Sequence, residues 1–174
     1  MKWAANSNRD CGLSSVWLPM TIIIEDANQF GHLAPEQLAL FEQQLGTALP
    51  ADWHDFLLTY NGGRPEPNEF FISAAEGSGM ITYLAGLHDG PYWASLRWHI
   101  ETLRGRMPAE LLPIGHDPGG NLICLAYRGE QRGTIYYWDH EMEAEEGEPA
   151  TWDNLYPLAK SFTEFLNGLT SAPE

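Results

Sequence analysis

Apolar positions along the chain fall into helical spacing, then strand spacing, then helical spacing again. Leu38, Phe41 and Leu45 share one helical face, Pro35 suits a first turn and Gly46 a left-handed stop, predicting a helix over Pro35–Leu45. Pro50 opens a second helix. Leu49, Trp53, Phe56, Leu57 and Tyr60 make one apolar stripe along it, and Asn61-Gly62-Gly63 ends it. A short helix from about Leu96 to Leu103 turns Leu96, Ile100 and Leu103 to one side, with Ser95 as N-cap and Gly105 as stop. The last helix carries Leu158, Phe162, Phe165, Leu166 and Leu169 on one face, and Ser161 with Glu164 forms a capping box.

Strands are expected between these helices. Residues 21–24 read as an edge strand, and 70–72 and 80–84 as short strands around a small-residue loop at 73–79. Residues 111–115 lead into the turn His116-Asp117-Pro118-Gly119-Gly120. Residues 121–127 are apolar on both faces, as a central strand must be, and 134–138 return as the hairpin partner. Helices, then strands, then a helix predict an α+β fold: an antiparallel or mixed sheet packed with N-terminal, middle and C-terminal helices. There is no internal repeat or low-complexity linker. The 174 residues divide into an extension, 1–30, and one domain, 31–170.

Charge narrows the class of partner. Nine Lys and Arg stand against 24 Asp and Glu, a formal net charge of −15. Such a chain repels phosphate backbones and anionic lipid, so nucleic acid and membrane surfaces are poor partners, and a basic protein is the natural one. The plain alternative is that the charge only keeps the protein soluble. Cys124 lies in an apolar run and reads as a buried thiol; Cys11 lies in a polar stretch, and no spacing suggests a zinc site or redox pair. No segment reads as a signal peptide or membrane span, so the expected location is the cytoplasm.

Three constellations are candidates for chemistry. His116 and Asp117, beside a glycine turn, would suit a metal or a base, but the proline and glycines are what a strand-connecting turn needs. Asp139-His140-Glu141 follows the strand ending at Trp138; if that strand continues, the two carboxylates share a face, which is only part of a divalent-ion site. A metal-dependent enzyme using His116, Asp117, Asp139, His140 and Glu141 would require the two loops to converge. The third constellation is the run from Asp139 to Asp153, with seven acids in 15 residues and no Lys or Arg between Arg132 and Lys160. An exposed loop is the ordinary reading of such a run. With Met142, Trp152 and Tyr156 in or beside it, the run also suits an interface, whose contact residues would be Asp139, His140, Glu141, Glu143, Glu145, Glu146 and Trp152. Nucleophile elbows, phosphate loops and dinucleotide fingerprints are missing from the sequence, and no catalytic residue, metal or cofactor is expected. His54 and His99 fall inside predicted helices, where an exposed histidine is the default.

Three segments resemble the SUKH superfamily, the Smi/Knr-type domain. They are Phe41–Gly46 with Leu49-Pro50-Ala51-Asp52-Trp53, Phe56-Leu57 and Asn61-Gly62-Gly63; Leu112–Gly115 through Gly120–Leu125; and Tyr136–Glu141 followed by 158–166. The likeness spans about residues 33–169. It implies helices packed on a curved sheet and a non-enzymatic role: many bacterial members are immunity proteins that neutralise a partner toxin, often a nuclease, and fungal relatives are regulators or scaffolds. No catalytic set carries over, and Gly115, Gly120, Asn121 and Ser161 have structural explanations as turns and a helix cap. The resulting expectation is a cytoplasmic protein-binding module, an immunity protein facing a basic toxin, with a regulator or scaffold as the alternative.

Overall fold

A computed structural model describes residues 22–145 and 147–171. Helix α1, Pro35–Leu45, begins on its proline and ends at Gly46, whose φ of 74° is the left-handed stop that glycine adopts without cost. Helix α2, Ala51–Tyr60, follows after the Leu49 amide is held by the Glu42 carboxylate at 2.8 Å. Its Trp53, Phe56 and Leu57 are buried. Trp53 stacks on Phe56 and meets Phe162 edge-on at 4.8 Å, tying α2 to the last helix, α4, Phe162–Asn167.

The C-cap of α2 locks the connection that follows. The Asn61 side chain, 2% exposed, accepts from the Leu87 amide at 2.8 Å and donates to the Gly31 carbonyl at 2.9 Å. Gly86 lies so close under the Asn61 carbonyl that a β-carbon there would collide with it. Bulk at that position would force the backbones apart.

Three antiparallel units make up the β-structure. β1, Ile23–Glu25, pairs with β2, Arg64–Glu66; β3, Glu69–Ser73, pairs with β4, Gly77–Met80. The main sheet is a five-stranded meander of β5 (Tyr83–Leu84), β6 (Leu111–His116), β7 (Leu122–Ala126), β8 (Ile135–Trp138) and β9 (Leu155–Ala159). Its middle strand is β7, as its two-faced apolar pattern requires. Ile114, Ile123, Leu125, Ile135 and Tyr137 face the helical core with Leu38, Trp53 and Phe162. Leu122, Cys124, Tyr136 and Trp138 form a second cluster on the opposite face, covered by Leu103 and Met107 after helix α3, Leu96–Thr102. The Cys124 thiol is fully buried, which pushes its pKa up; Cys11 lies outside the described residues. No helix among the described residues is long and apolar enough to cross a membrane.

The α+β class and the central hairpin stand as expected, and four local expectations are corrected. Leu158 belongs to β9, not to the last helix, which starts at its Ser161 cap: the Glu164 amide donates to Ser161 Oγ at 3.0 Å, and the Glu164 carboxylate accepts from the Lys160 amide. Its four-residue spacing from Phe162 mimics a helical stripe across a strand–helix junction. The loop expected at 73–79 ends in strand β4, whose Gly79 leaves room for the Phe70 ring lying directly on it. The strand expected at 80–84 is divided, Met80 closing β4 and Tyr83–Leu84 opening the main sheet. His99 is buried, not exposed, with Nε2 at 2.9 Å from the Trp93 carbonyl. The edge strand expected at 21–24 is found as Ile23–Glu25, and Thr21 lies outside the described residues.

Candidate functional site

At the end of the main sheet where β6 turns into β7, the turn meets the end of β8 through one network. The Asp117 carboxylate, 8% exposed, accepts from the Asn121 amide at 2.8 Å, the Asn121 side-chain nitrogen at 2.9 Å and the Tyr137 hydroxyl at 2.9 Å. Burial, and then the bond to this carboxylate, raise the Tyr137 pKa. With the amide nitrogen of Asn121 committed to Asp117, its oxygen is fixed as an acceptor. It takes the His140 backbone N–H at 3.1 Å and lies 2.7 Å from His140 Nδ1. Nδ1 therefore carries the proton, and in the neutral ring Nε2 holds a lone pair.

The two loops that a metal site would need do converge, but two of their carboxylates are engaged within the fold. Asp117 accepts from three donors. The chain does not continue as a strand beyond Trp138; it turns into a 3-10 segment, His140–Met142, and Asp139 caps it by accepting from the Glu141 amide at 2.9 Å. Asp139 and Glu141 consequently do not line up on a strand face. His116 lies with Nδ1 3.3 Å from the Asp117 carbonyl, and its Nε2 is enclosed without a hydrogen-bond partner among the described residues. Among those residues no three His, Cys, Asp or Glu side chains are grouped as a metal would require.

Above the network lies an open groove of about 280 Å³, lined among others by Tyr92, Trp98, His99, His116, Trp138 and His140. Tyr92 and Trp98 contact one another at 5.0 Å and are both exposed. Tyr92, Trp93, Trp98, Met142 and Trp152 are five of the ten exposed large apolar side chains among the described residues. Tyr92, Trp93 and Trp98 line the groove, and Trp152 packs against Tyr136 of the second cluster at 5.5 Å. Apolar exposure beside charge is the composition of an interface.

The acidic run lies against the segment after α3, where Glu143, Glu145 and Glu148 line a separate cleft with Arg104 and Arg106. Glu141 and Glu145 are exposed, as are Glu148 and Asp153; Glu146 lies outside the described residues. Glu143 is half-buried and holds Arg106 through both carboxylate oxygens, at 2.8 Å and 2.9 Å, while the guanidinium lies 5.7 Å from the Trp138 ring centre. A base is thus packed against a stretch that contains none in sequence, which pins the loop to the segment after α3. Sequence reasoning found the loop and His140 but missed Tyr92, Trp93, Trp98 and Arg106. The available signal was the cluster of three aromatic residues within 92–98, on positions that the Leu96, Ile100 and Leu103 face of the short helix leaves outside.

Known proteins resemble this chain over most of its length. The model of the SMI1 / KNR4 family (SUKH-1) matches residues 32–168. The SPbeta prophage-derived uncharacterized protein YokK of Bacillus subtilis (strain 168) is 27% identical over 155 residues, covering 79% of this chain and 75% of that protein.

Proposed function

The chain belongs to the SMI1 / KNR4 family (SUKH-1), and on that premise we propose that it is a non-enzymatic, protein-binding immunity protein that neutralises a basic toxin. The observation that carries the reading is the coincidence of exposed aromatics with the acidic run. A nuclease toxin must hold phosphates and is basic on its working surface, so a field of opposite sign would steer the encounter and fix its orientation. The contact set comprises Asp139, His140, Glu141, Glu143, Glu145, Glu146 and Trp152, with the exposed ring of Trp152 as an anchor.

Co-expression with the product of the neighbouring gene tests it. Rescue of growth from that product's toxicity, lost when Glu141, Glu143 and Glu145 are reversed to Lys, is the expected result. A non-toxic neighbour bound stably by this chain would instead make the protein a scaffold.

A further inference from the structure

We propose that the groove between α2 and α4 is a docking site for this chain's own residues 16–20, with the Trp17 ring as the anchor. The proposal is independent of the protein-binding reading, because its occupant comes from the same molecule. The groove, of about 260 Å³, is walled by Phe56 and Tyr60 of α2, Phe162 and Leu166 of α4, and Ile22. Phe56 and Phe162 are buried, whereas Tyr60 is 37% exposed and Leu166 half-buried. Its volume falls below the roughly 300–1,000 Å³ typical of small-molecule sites, a size that suits one or two side chains.

The attachment point selects the occupant. Ile22 packs against the main core and is itself a wall of the groove, so the residues before it depart from the site. Trp17 is five residues away and can lie no more than about 18 Å from Ile22, even fully extended. Residues 16–20 are Val16, Trp17, Leu18, Pro19 and Met20, an unbroken apolar run between Ser15 and Thr21. Such a run gains by covering apolar surface, and the groove is the surface at hand. Charge agrees with this choice. Asp52 and Asp55 stand in the groove wall, the Asp55 side chain 80% exposed, and no Lys or Arg lines it among the described residues. Residues 1–21 hold two bases, Lys2 and Arg9, against one acid, Asp10, whereas the rest of the chain holds seven bases against 23 acids. A net-positive segment is thus tethered beside a negative rim. The family match begins at residue 32, so α2 and α4 lie within the family domain and the docking segment is an addition to it.

Limited chymotrypsin digestion of the full chain tests this, with cutting at Trp17–Leu18 and at Trp3–Ala4 followed by mass spectrometry. A docked bond is cut only from its undocked population. Thr59→Arg puts bulk and positive charge at an exposed position of the groove wall. It should speed cutting at Trp17–Leu18 about tenfold and leave Trp3–Ala4 unchanged. In the unaltered chain the Trp17 indole, assigned by its loss in Trp17→Phe, should show nuclear Overhauser contacts to the Tyr60 and Leu166 side chains. These contacts decide the matter if Thr59→Arg disturbs folding. Cutting at Trp17–Leu18 that ignores Thr59→Arg, or a Trp17 indole with no contact to either side chain, would overturn the proposal.

Discussion

Replacing Asn121 by Ala tests the relay that orients His140. The substitution removes three side-chain hydrogen bonds: one to Asp117 and two from His140. It leaves the backbone bond from residue 121 to Asp117 in place. A net hydrogen bond is worth about 1 kcal/mol, and a half-buried donor left without a partner costs more, partly recovered by water. A loss of about 2–3 kcal/mol is therefore expected. For a chain of this size that corresponds to a fall in Tm of about 5–10 °C. Urea denaturation followed by tryptophan fluorescence measures the first quantity and calorimetry the second. His140→Ala removes one of the same bonds from the other end, the imidazole's, and keeps its backbone N–H bond, so the double variant should cost less than the two singles added, by about that one shared bond. Asn121→Asp should be worse than Ala at neutral pH, because it sets a second carboxylate against Asp117, and the deficit should shrink as acid protonates the pair. A loss below about 0.5 kcal/mol for Asn121→Ala, or strict additivity with His140→Ala, would refute the relay.

Three further outcomes follow from the same structure. Trp53→Ala, at a fully buried ring sandwiched by Phe56 and Phe162, should cost about 3–5 kcal/mol in denaturant titrations. Burial first, and the neighbouring His116 in addition, lower the pKa of His99 against the opposing bond to the Trp93 carbonyl. The unfolded chain therefore takes up this proton at a higher pH than the folded one. The stability that His99 contributes is complete above its ordinary pKa near 6.5 and is lost as pH falls below it, so His99→Gln should flatten the pH dependence of the urea midpoint between 7.5 and 5.5. Arg106→Ala frees Glu143 and should change stability by less than about 1 kcal/mol, since the pair is substantially exposed. The same variant should bind a basic partner faster at low salt, which stopped-flow mixing would register.

Local rules made the helices and the central hairpin legible, and long-range contacts made the site illegible. The stripes through Trp53 and Phe56 and the two-faced run through Ile123 and Leu125 are set by burial, which periodicity reports directly. β4 escaped because its glycines carry no apolar signal and it exists by pairing with β3 and accommodating Phe70. β9 was hidden by the accidental four-residue spacing of Leu158 and Phe162. The acidic run was visible as composition, but its pinning by Arg106 joins residues 37 positions apart. The bond between Asn121 and His140 spans 19 positions, and only the register of β7 against β8, Leu122 opposite Trp138, brings those ends together.

The central claim is that opposite charge guides this surface to a basic protein. Stopped-flow association with the toxin domain that co-expression identifies, measured from about 20 to 300 mM NaCl, tests it most directly. An association rate that falls at least tenfold over that range, while dissociation changes little, is what the account predicts. A rate indifferent to ionic strength, with the Glu141, Glu143 and Glu145 reversals also without effect, would contradict it.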